Sequence, residues 1–172
     1  MPQSLALVLV HIIFSTKNRI AFLQSPDIRS EVHAYLIGTL RALDCEPLRV
    51  GGVADHVHIL AALSRRISLA ELVKSLKTSS TKIVKNKGHC HFSWQSGYGA
   101  FSVSQSAKGS VISYIASQES HHRKMTFQEE FRSLLKNMAL FSMSAMCVLC
   151  ALVLNAPFSV RSLEFWVLTS VL

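Results

Sequence analysis

Negative charge and cysteine are both scarce in this chain, and its last part carries almost no charge at all. From Met138 to Val160 no residue is charged, and residues 138–172 contain only Arg161 and Glu164. Those two cancel, so the whole formal charge of +8 lies before residue 138. With 18 Lys and Arg against 10 Asp and Glu, the charged part suits a polyanionic partner. A basic surface kept for solubility has the same composition, so charge alone does not choose. The four cysteines, Cys45, Cys90, Cys147 and Cys150, include one C-x-x-C pair, where a structural zinc site needs two. That pair sits in an apolar run, outside any redox motif. The thiols read as reduced and buried, in a cytoplasmic protein. No basic region precedes the apolar stretch Leu5–Val10, so the start does not read as a secretory signal. At 172 residues the chain fits one domain plus an appendage, with length enough to bury a core.

What is present centres on Asp55-His56-Val57-His58-Ile59-Leu60. On a strand, residues two apart share a face. His56 and His58 then project side by side, and two neutral imidazoles held that way can take two positions on one divalent metal. The commoner role of an isolated H-x-H pair is local hydrogen bonding. A second stretch, Val111–Gln118, places Tyr114 and Gln118 at i and i+4, which share a face on a helix. A phenol, an amide oxygen and two histidines together supply a nucleophile and a metal shell. Tyr35 lies among apolar helix positions and reads as packed, while Tyr98 lies between glycines.

The remaining chain reads as alternating strands and helices. The run Leu5–Ser15 is apolar and β-branched, a central strand. His11 within it reads as a satisfied sheet histidine. Ser25-Pro26 opens a helix whose stripe is Ile28, Val32, Leu36, Leu40 and Leu43. Glu46–Val53 is the next strand, and Gly51-Gly52 suits a tight turn or bulge before the histidine strand. This order is compatible with a split βαβ pattern. Ser68-Leu69-Ala70-Glu71 is a capping box. The helix after it buries Leu69, Leu72, Val73 and Leu76 and presents Lys74, Lys77, Lys82 and Lys85 among hydroxyl residues, either a phosphate-contacting surface or an ordinary solvated face. His89-Cys90-His91 reads as incidental. Trp94 and Tyr98 are candidates for stacking on unpaired bases, although strand-core packing is the usual role of such aromatics. Gly109–Ser120 reads as one helix carrying Tyr114. Thr126-Phe127-Gln128-Glu129 is a further capping box, opening a short helix to Lys136.

Four motifs in register carry a family resemblance: HIIFSTKNR at 11–19, DHVHIL at 55–60, WQSGYGAFSVS at 94–104 and YIASQESHH at 114–122. Over about residues 3–136 the chain resembles the tyrosine-type HUH single-strand DNA transposases of small bacterial insertion sequences and their REP-associated relatives. The resemblance implies an α+β, ferredoxin-like (split βαβ) antiparallel sheet with helices on one face. It implies a homodimer acting on single-stranded DNA with hairpin ends. It assigns Mg²⁺ or Mn²⁺ to His56, His58 and Gln118, and nucleophilic attack on a phosphate to Tyr114, giving a 5′-phosphotyrosine. It also suggests nucleic-acid contact by Lys17 and Arg19, which otherwise read as a solvated turn.

The chain departs from the family after residue 137. The expected organisation is a transposase-like domain over 1–137 and an atypical apolar tail over 138–172. That tail reads as a frameshifted or degenerate end more readily than as a membrane anchor, although 138–154 is close to span length. The alternative function is therefore a catalytically inactive single-strand-binding protein derived from a transposase. A phosphodiesterase with paired H-x-[ST] motifs fits less well, since His91-Phe92-Ser93 is the single match.

Overall fold

A computed structural model describes residues 5–121, 128–130 and 132–133. The unit that ends at Arg123 carries strands β1 (Leu9–Ser15), β2 (Glu46–Val53), β3 (His56–Ala62) and β4 (Gly99–Val103). Its helices are α1 (Pro26–Ala42), α2 (Leu69–Asn86), α3 (Lys108–Ala116) and α4 (Gln118–His121). The sheet order is β2-β3-β1-β4, and every pairing is antiparallel. This is the βαββαβ arrangement expected for a ferredoxin-like α+β fold. The apolar tail and the 137/138 boundary lie outside the described residues, as do Cys147, Cys150 and the capping box at Thr126. Among the described residues no helix is long and apolar enough to cross a membrane.

Alternation along the strands sorts the side chains onto two faces. Val10, Ile12 and Phe14 of β1 and Val57, Ile59 and Ala61 of β3 enter one hydrophobic cluster with Val32, Leu36 and Leu40 of α1 and Leu72, Val73 and Leu76 of α2. The two long crossover helices thus cover one face. The other face carries His11 and Ile13 of β1 and His56, His58 and Leu60 of β3, paired across the ladder as Ile13 with His58 and His11 with Leu60. α3 lies over this second face, where its Tyr114 meets His11 and His58.

The helix ends follow local chemistry. Ser68 and Glu71 form the expected reciprocal capping box. At Ser25 the expected side-chain cap is not made, although Pro26 does occupy the first turn. α1 closes with Cys45 N–H donating to the Leu40 carbonyl and Asp44 N–H to that of Arg41, with Asp44 at φ +55°. That is a Schellman closure in which aspartate stands where glycine is usual.

Several expectations change. β1 begins at Leu9 and not Leu5, because the ladder partners Ala62 and Val103 both lie opposite Leu9. The β-bulge falls between Pro47 and Arg49, on an edge strand that tolerates proline. Gly52 serves instead for close approach: a Cβ there would lie 2.3 Å from the His56 carbonyl oxygen, at φ +151°. Tyr35 is 42% exposed and does not pack. Cys45 is buried as expected, but Cys90 is exposed.

Trp94 is core and not a base-stacking platform. Its ring stands edge-on to Phe14 at 4.7 Å and to Phe92 at 5.0 Å. Its Nε1–H donates to Ser80 Oγ at 2.9 Å, which binds the α2–β4 connection to the middle of α2. Trp94→Phe removes that bond and part of the buried ring. It should lower stability by about 1–3 kcal/mol in urea denaturation.

Candidate active site

The site is assembled on the second face of the sheet. His56 and His58 are both fully buried. Their ring centroids lie 5.0 Å apart, and one ring nitrogen of each comes within 4.8 Å of the other. Each is held from behind at Nδ1. His56 Nδ1–H donates to Asp55 Oδ1 at 2.7 Å. A carboxylate accepts only, so this bond places the proton on Nδ1 and the ligating lone pair of His56 on Nε2. His58 Nδ1 shares a hydrogen bond of 3.0 Å with His11 Nε2, and the two rings stack. A metal would take the opposite, Nε2 edges of both rings. Oriented imidazoles with partners behind them are a donor set that a divalent transition metal accepts, so the two histidines could hold such an ion.

Asp55 is itself braced. Arg19 Nε donates to its Oδ2 at 2.9 Å, and the guanidinium closes a second, shorter contact. Asn18 and Arg19 both adopt left-handed backbone, φ +55° and +59°. This unusual turn folds Arg19 back onto the carboxylate. Burial would raise the Asp55 pKa, but the hydrogen bond from His56 and the Arg19 guanidinium together hold it below its ordinary value.

Tyr114 reaches this cluster from α3. Its ring is edge-on to His58 at 5.8 Å and to His11 at 6.2 Å. Of the three tyrosines, Tyr35 is on α1 beyond the opposite face, and Tyr98 lies with its ring beneath Lys77 Nζ at 5.8 Å. The approach of α3 depends on Gly51, which pairs with His58 in the ladder. A Cβ at Gly51 would come within 2.8 Å of Ile115 Cγ2 and of its carbonyl oxygen. Gln118 is buried, but not on the continuous helix expected over Gly109–Ser120. α3 ends at Ala116, where the Ser117 hydroxyl donates to the Tyr114 carbonyl at 3.1 Å and competes with the helical ladder. Gln118 starts α4 and borders a cavity at the β2 edge.

The expected DNA contacts distribute unevenly. Lys17, Lys74, Lys82 and Lys85 are exposed. The three on α2 stand beyond the face opposite the histidines. Arg19 is committed to Asp55, so it shapes the site through His56. Lys77 is not a free surface cation: its Nζ donates to the carbonyls of Gln95 at 2.7 Å and Gly97 at 2.8 Å. Burial lowers its pKa to about 8. Tyr98 is half-buried against the core. The reading from sequence missed His11 as a partner of His58, and Asp55 and Arg19 as the brace of His56. The adjacency of Asp55 to His56 was the one available signal.

The family described as Transposase IS200 like matches residues 4–118, so the chain belongs to that transposase family. No curated protein matches. Among solved structures, a candidate transposase of Deinococcus radiodurans R1 superposes with a TM-score of 0.54 at 20% identity, over 69% of this chain and 98% of that one. A REP-associated tyrosine transposase bound to a REP hairpin superposes with a TM-score of 0.53 at 14% identity, over 71% and 74%. At these identities the two structures establish the shared fold.

Two outcomes follow from the geometry. The folded pKa of Asp55 is below its unfolded value, so its stabilisation is complete above the ordinary carboxylate range and lost as pH falls through the folded value. Asp55→Asn should therefore lower the urea midpoint at pH 7 and flatten its fall below about pH 4. Gly51→Ala should lift α3 from the sheet, seen as faster amide exchange in α3 with α1 and α2 unchanged.

Proposed function

We propose that this protein cleaves and rejoins single-stranded DNA through a covalent 5′-phosphotyrosine on Tyr114. The observation that carries this reading is the contact of the Tyr114 ring with His58 and His11 on a sheet face where His56 and His58 stand side by side. His56, His58 and Gln118 would hold a divalent ion, Mg²⁺ or Mn²⁺. Two imidazoles make Mn²⁺ chemically reasonable, while an amide oxygen also suits Mg²⁺. When bound, the ion would supply positive charge beside the scissile phosphate. Asp55 and His11 fix the two imidazoles in orientation, so little rearrangement is needed when substrate arrives.

In the cleavage step the Tyr114 oxygen bonds to phosphorus as the bond from phosphorus to the 3′ oxygen breaks. The phenol loses its proton and the departing 3′ oxygen gains one, leaving a 5′-phosphotyrosine and a 3′-hydroxyl. The phosphotyrosine is a diester like the bond it replaces. Rejoining is therefore the reverse attack by a 3′-hydroxyl and needs no nucleotide cofactor. A phenol with an ordinary pKa of about 10 is a poor nucleophile at neutral pH without assistance, which makes its place beside the histidines a requirement. Membership of the transposase family, and a solved relative bound to a REP hairpin, support hairpin-flanked single strands as substrate and transposition as the outcome. A homodimer is the assembly we expect.

Tyr114→Phe removes one oxygen and little volume. It should eliminate the covalent protein–DNA species on denaturing gels, with Mg²⁺ or Mn²⁺, while single-strand binding survives. His56→Ala with His58→Ala, or excess chelator, should also abolish cleavage. An undiminished adduct in Tyr114→Phe would refute the nucleophile, and persistent cleavage in chelator would refute the metal. If the native chain gives no adduct, it acts as a single-strand-binding protein without catalysis.

A further inference from the structure

Beside the site, α1, β2 and the α3–α4 corner border an open cavity of about 260 Å³, lined by Arg29, His33, Arg49, Gln118 and Glu119 and by Gly51 and Gly52. Its polar groups are unevenly matched. Arg29 is paired with the Glu119 carboxylate and also donates to the Leu23 carbonyl at 3.3 Å. Arg49 is exposed and has no ion-pair partner among the described residues. The lining therefore holds two guanidinium groups against one carboxylate.

His33 marks where their fields meet. Its Nε2 is buried with no hydrogen-bond partner among the described residues. Burial, then the charges of Arg29 and Arg49, lower its pKa to about 4. A buried polar nitrogen left unsatisfied is costly, and an anion placed here would answer both the nitrogen and the uncompensated charge. The start of α1 adds to this. Pro26 borders the cavity, Ser25 makes no side-chain cap, and the first-turn amides carry the positive end of the helix dipole.

We propose that this cavity binds one backbone phosphate of the DNA strand, a neighbour of the phosphate attacked by Tyr114. The single excess positive charge matches a phosphodiester, and one wall of the cavity is the same α3–α4 corner that carries Tyr114 and Gln118. Arg49 is the principal contact, and His33 donates once the anion lets it hold a proton. Glu119 keeps Arg29 oriented, so the free cation of the pair is left to the ligand. This assignment rests on the strand-cleavage reading for the identity of the ligand.

The test uses the full chain carrying Tyr114→Phe, with a short oligothymidylate and, separately, inorganic phosphate. The His33 imidazole resonance, identified by its loss in His33→Gln, should move when oligothymidylate binds. Adding Arg49→Ala should weaken that binding about five-fold near 0.1 M salt, reduce the salt slope by about one and suppress the shift. Arg66→Ala removes another exposed charge, one that pairs with Asp44, and it should change affinity less than about two-fold. Equal effects of the two arginine variants, or a motionless His33, would overturn the proposal. A shift with inorganic phosphate alone would make this a free-anion site and also overturn it. The two readings fail separately: with no adduct from the native chain but a His33 shift on oligothymidylate, the cleavage reading falls and the phosphate site stands.

Discussion

The antiparallel register of β1 with β3 is the constraint on which the site depends. Because side chains alternate along a strand, the pairing of Ile13 with His58 and Ser15 with His56 settles which residues face α1 and α2 and which face α3. A slip of one residue would turn both histidines into the hydrophobic cluster and expose Val57 and Ile59. The cluster prevents the slip. Val10, Ile12 and Phe14 are matched by Val57, Ile59 and Ala61, all buried against two helices. Apolar burial on one face thus fixes polar geometry on the other.

Burying two imidazoles in that way demands that their hydrogen-bonding groups be answered. Asp55 does so for His56 and His11 for His58, both at Nδ1. The consequence is chemical as well as stabilising, since the edge of each ring left available to a ligand is set by what holds the other edge. Arg19 extends the arrangement outward to a left-handed turn at the end of β1. The strain in that turn is offset because the guanidinium lets Asp55 stay ionised while largely buried.

Much of this was legible in the sequence, for reasons that differ by residue. The period-2 pattern at His56 and His58 reported a shared face, since strand geometry leaves no other arrangement. The split βαβ order and the Ser68–Glu71 capping box were legible because each is a local signal. His11 was not, because its partner lies 47 residues away and only the ladder register brings them together. Trp94 was misread for a related reason: an aromatic beside glycines looks the same in a core as on a stacking surface, and the bond to Ser80 is tertiary. Lys77 looked like its neighbours on α2, yet the carbonyls it meets belong to a loop that folds over it. Gln118 was placed by helical spacing, and the helix breaks at Ser117 before reaching it.

The positions of the cations constrain the path of a strand. The exposed lysines of α2 lie beyond the face opposite the histidines, with the sheet and its core between. A phosphate at Tyr114 cannot touch them, so any contact they make is with DNA that has passed around a sheet edge. Arg49, by contrast, stands on the edge strand β2, and its ladder partner Leu60 is two residues from His58. The unbroken register from Arg49 to Val53 places Arg49 and Gly51 on the same face as the histidines, and the bulge between Pro47 and Arg49 shifts only the residues before it. Without that extra residue the alternation upstream of Arg49 would continue unshifted relative to β3. The edge of the sheet is where a strand could meet Tyr114 and a guanidinium together.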